Sequence, residues 1–302
     1  MAVPDQVTVV EVGPRDGLQN EAKAVSTNIK VELIEKLAAA GLPAVEAGAF
    51  VSPKWIPQMA DSAEVFEQIA KRPGTRYPVL VPNLKGFERA LAVGARDVSI
   101  FAAVSESFSR QNTNCSIAES LDRFRPVCAA AARAGVAVRG YLSCVLGCPH
   151  EGEIDPGRVA ELASELVAMG CADISLGDTI GVGTPAKARQ MIDRVAEDVP
   201  MAKLGVHFHD TYGQALANTL VCLERGVRVA DASVAGLGGC PYAPGAAGNL
   251  ATEDLLYMLH GLGIETGADL DQVAEAGRFI CDYLGRPPAS RVAQALASKI
   301  AA

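Results

Sequence analysis

Asp173-Ile174-Ser175-Leu176-Gly177-Asp178, the link Thr179-Ile180-Gly181-Val182-Gly183-Thr184 and the run from Pro185 to Asp198 form one unit of strand, loop and helix. The first run is short and apolar between two acids, whereas the last has apolar residues at helical spacing. Thr184 is a candidate N-cap and Pro185 sits in the first turn, where its missing N–H costs nothing. The unit recurs along the chain. Strand-like runs begin near Val7, Ala44, Tyr77, Asp97, Val136, Asp173, Lys203 and Val229, eight in all. Helical segments follow at 28–40, 62–71, 84–93, 117–134, 156–169, 185–198, 213–225 and 252–262. Ser116 and Asp155 are further N-cap candidates, Pro156 is a second first-turn proline, and Gly41, Gly94, Gly135, Gly170 and Gly226 follow helix ends. Eight such units predict an α/β fold, a closed (β/α)8 TIM barrel, because an open doubly wound sheet usually has fewer strands. Two further helices, 270–284 and 291–300, are expected to pack on the barrel or in a dimer interface. The chain thus reads as one barrel domain over 1–302 with a C-terminal helical extension from about 265 to 302.

Composition narrows the function. The 302 residues are 49% hydrophobic, enough for a sizeable core, and the formal net charge of -8 argues against an extended nucleic-acid surface, which needs clustered Lys and Arg. Eight irregularly spaced Cys in a chain of this size read as reduced thiols rather than a disulfide framework. The N-terminus enters a strand-like run almost at once, without the pattern of a secretory or organellar leader, and no apolar run reaches the roughly 18 residues of a membrane span. A soluble cytoplasmic enzyme is expected.

The chemistry gathers at strand ends. Val206-His207-Phe208-His209-Asp210 closes the seventh run, and residues i and i+2 of a strand face one side, so two of the four His in the chain can converge on one ion. A hydrogen-bonded structural pair is the competing account, but active sites of barrels lie at this face. Glu11-Val12-Gly13-Pro14-Arg15-Asp16-Gly17 closes the first run and brings Arg15 and Asp16 to the same face, although an Arg-Asp pair at a turn is commonly solvated. Glu46 ends the second run and Asp178 the sixth. Carboxylates ending apolar strands are costly to bury unless they bind metal, pair with cations or move protons, so their recurrence argues for a cation between them. Oxygen and imidazole donors without a thiolate favour Mg2+ or Mn2+ over Zn2+. The Gly-rich segment 235–250 carries Cys240, a candidate acid on a closing loop, and Asn249, a candidate amide-oxygen ligand. A phosphate-binding loop is the alternative, but it would need neither a thiol nor an Asn. Cys144 and Cys148, with His150 nearby, lack the second Cys pair of a zinc site and read as structural or substrate-adjacent; Trp55 reads as packing.

Segments 10–20, 50–59, 82–87, 176–184, 207–219 and 233–255 together resemble the 3-hydroxy-3-methylglutaryl-CoA lyase family along nearly the whole chain. The resemblance implies a metal-dependent carbon–carbon lyase that cleaves an acyl-CoA to acetyl-CoA and acetoacetate. It implies one Mg2+ or Mn2+ held by Asp16, His207, His209 and Asn249, and catalytic roles for Arg15, Glu46, Asp178 and Cys240. Arg15 would hold the thioester oxygen, Asp16 and His207 compete as the base, Glu46 and Asp178 orient neighbours or relay protons, and Cys240 protonates the carbanion. A homodimer is expected. Gly17 follows Arg15-Asp16 as in the lyase branch, where the related synthases usually carry Glu. Ala247 stands where familiar lyases have Ser or Thr, and those lyases carry a Ser near Ala49, departures that bear on substrate preference and admit a longer-tailed 3-hydroxyglutaryl-CoA. A Claisen-type synthase, a 2-oxo-acid aldolase and a non-catalytic metal-binding protein are the remaining alternatives.

Overall fold

The computed structural model describes residues 3–239 and 248–300. Every strand pairing is parallel, and the sheet order is β2-β1-β9-β8-β7-β6-β5-β4-β3. The strands are β1 (Thr8–Glu11), β2 (Ala44–Val45), β3 (Gly48–Ala49), β4 (Val79–Leu80), β5 (Asp97–Ala103), β6 (Ala137–Ser143), β7 (Asp173–Asp178), β8 (Leu204–Phe208) and β9 (Val229–Ala232). β2 and β3 are two halves of one stave: β2 pairs with β1 and β3 with β4, while between them Glu46 N–H donates to Glu11 O at 2.8 Å and Ala47 N–H to Pro78 O at 2.8 Å. Joining them closes nine segments into eight staves, the barrel expected from the repeating unit.

The outer helices are α1 (Thr27–Ala39), α2 (Ser62–Gln68), α3 (Leu84–Ala92), α4 (Glu106–Thr113), α5 (Ile117–Ala134), α6 (Pro156–Ala168), α7 (Pro185–Asp198), α8 (Ala215–Glu224) and α9 (Thr252–Gly261). Ser116 and Glu119 form a reciprocal capping box at α5, and Asp155 accepts from Gly157 N–H at α6. Thr184, expected to do the same for α7, makes no side-chain cap bond. α4 was not anticipated; its sequence is almost wholly polar, and it starts because Ser105 accepts from Phe108 N–H. α8 begins at Ala215 rather than 213 because Gly213 has φ 68°, outside helical geometry. α10 (Leu270–Leu284) packs on α1 and on the turn Val234–Gly236, and α11 (Arg291–Ile300) packs on α9. Among the described residues no helix is long and apolar enough to cross a membrane.

Strand register positions the site. Outward residues such as Ile174, Leu176 and Val206 are buried beneath the helices. On the inward face, Arg139 stands opposite Asp173, Tyr141 opposite Ser175, Gly177 opposite His207 and His207 opposite Asp231. The barrel centre is therefore polar on this side. Gly205 leaves room for it, since a Cβ there would come within 3.1 Å of Arg139 Nη2.

Candidate active site and metal centre

After β1 the chain winds one wide helical turn, Gly13–Gly17, in which Val12 O accepts from Arg15 N–H at 3.1 Å, Asp16 N–H at 2.7 Å and Gly17 N–H at 3.2 Å. Such wide turns are rare and often accompany functional sites. This one turns Arg15 and Asp16 into the barrel mouth. Gly17 allows close approach of the segment after β9: a Cβ would meet Ser233 Oγ and Leu237 Cβ, both at 2.7 Å. A glutamate here, as in the related synthases, would have nowhere to go.

Arg15 is buried and clamped from two sides. Its Nε donates to Glu46 Oε2 at 2.7 Å and its Nη1 to Asp16 Oδ1 at 2.7 Å, with the guanidinium 5.4 Å from the Tyr141 ring centroid. Burial opposes its charge, but Glu46 and Asp16 outweigh that and hold it protonated. Tyr141 Oη donates to Glu46 Oε1 at 3.4 Å. Burial pushes the Glu46 carboxyl up, with Arg15 pulling against it.

Asp16, His207 and His209 each offer a ligand atom, and the three atoms lie within 4.8 Å of one another. For Asp16, burial works against ionisation, but Arg15 and the two imidazoles overcome it and the carboxyl falls to about 2. Burial, then the neighbouring His207, lowers His209 to about 4, so its ring is neutral at pH 7 with a lone pair to give. His209 Nδ1 is buried and has no hydrogen-bond partner among the described residues. An orphaned imidazole nitrogen beside an ionised carboxylate suits a divalent cation, because ligation would satisfy both. Asn249 joins them through its amide nitrogen, which donates to Asp16 Oδ2 at 2.9 Å and Leu237 O at 3.2 Å. The oxygen expected as a ligand is therefore not the atom on Asp16.

Behind this cluster stands Asp231, which was not among the sequence candidates. Its carboxylate accepts from Arg139 Nη2 at 2.7 Å and Ser175 Oγ at 2.7 Å, and faces His207 Nδ1 at 3.3 Å. Burial lowers the affinity of His207 for a proton, but Asp231 and Asp16 more than restore it and the imidazole is raised overall. His207 Nε2 remains on the cavity side, 3.9 Å from Asp16 Oδ2. Arg139 and Tyr141 were legible in principle, since the i, i+2 rule that exposed the histidines also aligns them on β6, whereas Ser175 and Asp231 carry no such signal.

Asp178 lies elsewhere. Its oxygens accept from Val182 N–H at 3.2 Å and Gly183 N–H at 2.8 Å, and it does not line the cavity. Burial raises it to about 6 against the pull of those amides. Cys144 and Cys148 are buried free thiols, with Cys148 Sγ donating to Ser105 Oγ at 2.9 Å, and among the described residues they belong to no metal cluster. Cys240 and Ala247 lie outside the described residues. Trp55, expected to pack, is 85% exposed.

The cavity above the cluster holds about 580 Å3, within the usual range for small-ligand sites. Arg15, Asp16, His207 and His209 line one side, and Leu80, Phe101, Phe108 and Leu142 supply apolar wall. Barrel and site together define a (β/α)8 enzyme with a candidate divalent-metal centre at the C-terminal ends of its strands. The HMGL-like family profile matches residues 6–280, and the chain belongs to that family. It is 62% identical over 293 residues to the mitochondrial hydroxymethylglutaryl-CoA lyase of Mus musculus, covering 97% of this chain and 90% of the relative. The hydroxymethylglutaryl-CoA lyase structure from Pseudomonas aeruginosa superposes with a TM-score of 0.97 at 57% identity, covering 99% and 100% of the two chains. The curated P. aeruginosa relative at 57% identity, covering 99% of this chain and 100% of its own length, is a 3-hydroxy-3-isohexenylglutaryl-CoA/hydroxymethylglutaryl-CoA lyase. An Acinetobacter baumannii HMG-CoA lyase in complex with coenzyme A and 3-methylmalate aligns at 37% identity and TM-score 0.92, covering 98% and 96%.

Proposed function

We infer that this chain is a hydroxymethylglutaryl-CoA lyase, a carbon–carbon lyase that splits 3-hydroxy-3-methylglutaryl-CoA into acetyl-CoA and acetoacetate. The carrying observation is the juxtaposition of a charged, clamped Arg15 with the Asp16–His207–His209 cluster in one cavity, in a chain so similar to lyases of that name.

Breaking the C2–C3 bond requires a proton to leave the C3 hydroxyl while negative charge develops on the thioester oxygen. Asp16 and His207, whose Oδ2 and Nε2 face each other at 3.9 Å, are the two candidate acceptors of that proton, and His207 qualifies only where its Nε2 is not itself a ligand of the cation. Arg15, fixed by Glu46, holds the thioester oxygen as charge accumulates there; such preorganised donors act without reorganisation in a water-poor site. Asp16, His207 and His209, with Asn249, would hold a divalent cation, which would supply Lewis acidity toward the substrate's oxygens. Mg2+ or Mn2+ is our assignment from the oxygen and imidazole donors. Asp231 orients His207, and Asp178 shapes the loop around Gly183. Cys240 is proposed as the donor that protonates the acetyl-CoA carbanion. The whole chain works as one catalytic domain, in a homodimer.

The apolar wall of Leu80, Phe101, Phe108 and Leu142 favours a second substrate of the same class, a 3-hydroxyglutaryl-CoA with a longer C3 tail. Acetoacetate release from hydroxymethylglutaryl-CoA, with and without chelator and restored by Mg2+ or Mn2+, tests the lyase reading. No release with either ion would overturn it. Turnover of the isohexenyl analogue tests the tail.

A further inference from the structure

Among the described residues three large apolar side chains are exposed, Trp55, Tyr212 and Tyr257, and of these only Trp55 lines the cavity. It is 85% exposed and stands at the rim. Its backbone is firmly held: Trp55 N–H donates to Ser52 O at 3.0 Å and Ile56 N–H to the same oxygen at 3.1 Å, between Pro53 and Pro57. Val51 is buried and Ile56 packs against the core from below. The turn is thus anchored on one side while the indole is presented on the other. An indole fixed in water at a cavity mouth gains nothing from the fold. It offers instead a flat apolar face whose rotamer freedom is limited to two torsions.

A coenzyme A thioester supplies the matching surface. Its reacting carbons must reach Arg15 and the Asp16–His207–His209 cluster inside the cavity, and the pantetheine arm has no aromatic group to stack on an indole. The nucleotide at the far end emerges at the rim. We propose that Trp55 is the platform on which the adenine of the substrate's nucleotide stacks, with the neighbouring exposed Lys54 beside its phosphates. The proposal rests on the acyl-CoA lyase reading and extends it to the end of the substrate remote from the chemistry. In a chain of net charge -8, attraction for a polyanionic nucleotide has to be local, and a lysine next to an aromatic plate provides it. Stacking a base on an aromatic side chain corresponds to about 5- to 100-fold in affinity. That gain is realised equally in ground and transition states, so it appears in KM rather than kcat.

The chain has a single tryptophan, which makes the test direct. Titration of the intact protein with coenzyme A should quench tryptophan emission, 3′,5′-ADP should quench it too, and pantetheine at saturating concentration should leave it unchanged. Trp55→Ala should raise KM for hydroxymethylglutaryl-CoA about 5- to 100-fold with kcat within about twofold. The same variant should match the parent on the pantetheine thioester of the same acid, and Trp55→Phe should recover most of the loss. Calorimetric binding of coenzyme A with no change in emission, or an unchanged KM in Trp55→Ala, overturns the platform while leaving the lyase reading intact. Quenching by coenzyme A in a protein that never releases acetoacetate overturns the lyase reading and supports the platform. If Trp55→Ala does not fold, the emission titration and the Trp55→Phe KM decide alone.

Discussion

Asp231→Asn removes one charge from the layer beneath the Asp16–His207–His209 cluster and changes almost no volume. In the parent, Asp231 is fully buried and pairs with Arg139 Nη2 at 2.7 Å, and the Arg139 side chain is only 8% exposed. Breaking a buried pair by neutralising one partner costs about 3–5 kcal/mol, because the other charge stays desolvated. Arg139 keeps a second carboxylate, Asp173, 3.2 Å from Nη1 but 27% exposed, so the lower end, about 3 kcal/mol, is expected. A second loss is functional. Asp231 fixes His207 through Nδ1, which leaves Nε2 toward Asp16. Groups that orient a ligand in this way typically contribute about 10- to 100-fold to metal affinity. Urea unfolding of the apoprotein and calorimetric titration with Mn2+ separate the two. A variant with the parental midpoint and Mn2+ affinity within twofold would refute both the buried pair and the orienting role.

Asp16→Ala and His209→Ala should lower Mn2+ affinity and activity together, and unchanged affinity in both would remove them as ligands. Arg15→Lys should fold but lose about 100- to 1,000-fold in kcat, since an ammonium cannot reproduce the guanidinium fork clamped by Glu46; near-parental turnover would remove the enolate role. Cys240→Ser should depress kcat far more than the thermal midpoint, because a hydroxyl is a much weaker acid than a thiol; a normal kcat would leave the residue structural. Burial raises Glu253 from 4.5 to about 8 and Glu11 from 4.5 to about 7. A carboxyl raised in the folded state favours folding below its unfolded value and loses that advantage as pH climbs through the folded value, so these two groups make stability fall from about pH 5 to pH 8. Glu253→Gln should flatten the fall between pH 6 and 9 in midpoints of urea unfolding, and a parent losing no more stability than the variant over that range would refute it.

The barrel was legible because its signal is periodic and repeated. Eight strand runs each followed by a helix leave little choice of architecture, and glycines such as Gly135, with φ 63°, mark helix ends by local backbone chemistry alone. α4 was not legible, since a short polar segment carries no apolar stripe and its start depends on Ser105 meeting Phe108 N–H. The ends of strands were legible for the same reason the barrel was: Arg15, Asp16, Glu46, His207 and His209 interrupt apolar runs at equivalent places, and the structure brings them together. Asp178 interrupts its run in the same way, yet its carboxylate turns toward Val182 and Gly183, a direction that only the folded loop decides. Asp231 was hidden because it lies within a run rather than at its end, and its partners come from β6 and β7, far away in sequence.

Charge balance ties these residues to the proposed cation. Arg139 answers Asp231 and Arg15 answers Glu46, each across 2.7 Å. Asp16 shares Arg15 with Glu46 and is held ionised down to about pH 2, so Arg15 faces two carboxylates, as Arg139 does in Asp231 and Asp173. Isolated buried charge is costly, and neutral residues would have packed the barrel more cheaply. His209, neutral at pH 7 and with an Nδ1 that has no partner among the described residues, lies with Asp16 in the same cluster. The proposed divalent cation would add positive charge where these carboxylates outnumber the two arginines. Arg15 is held by two acids, Glu46 at Nε and Asp16 at Nη1, so in the proposed mechanism the group that would meet the thioester oxygen is tied directly to the Asp16–His207–His209 cluster that would meet the hydroxyl.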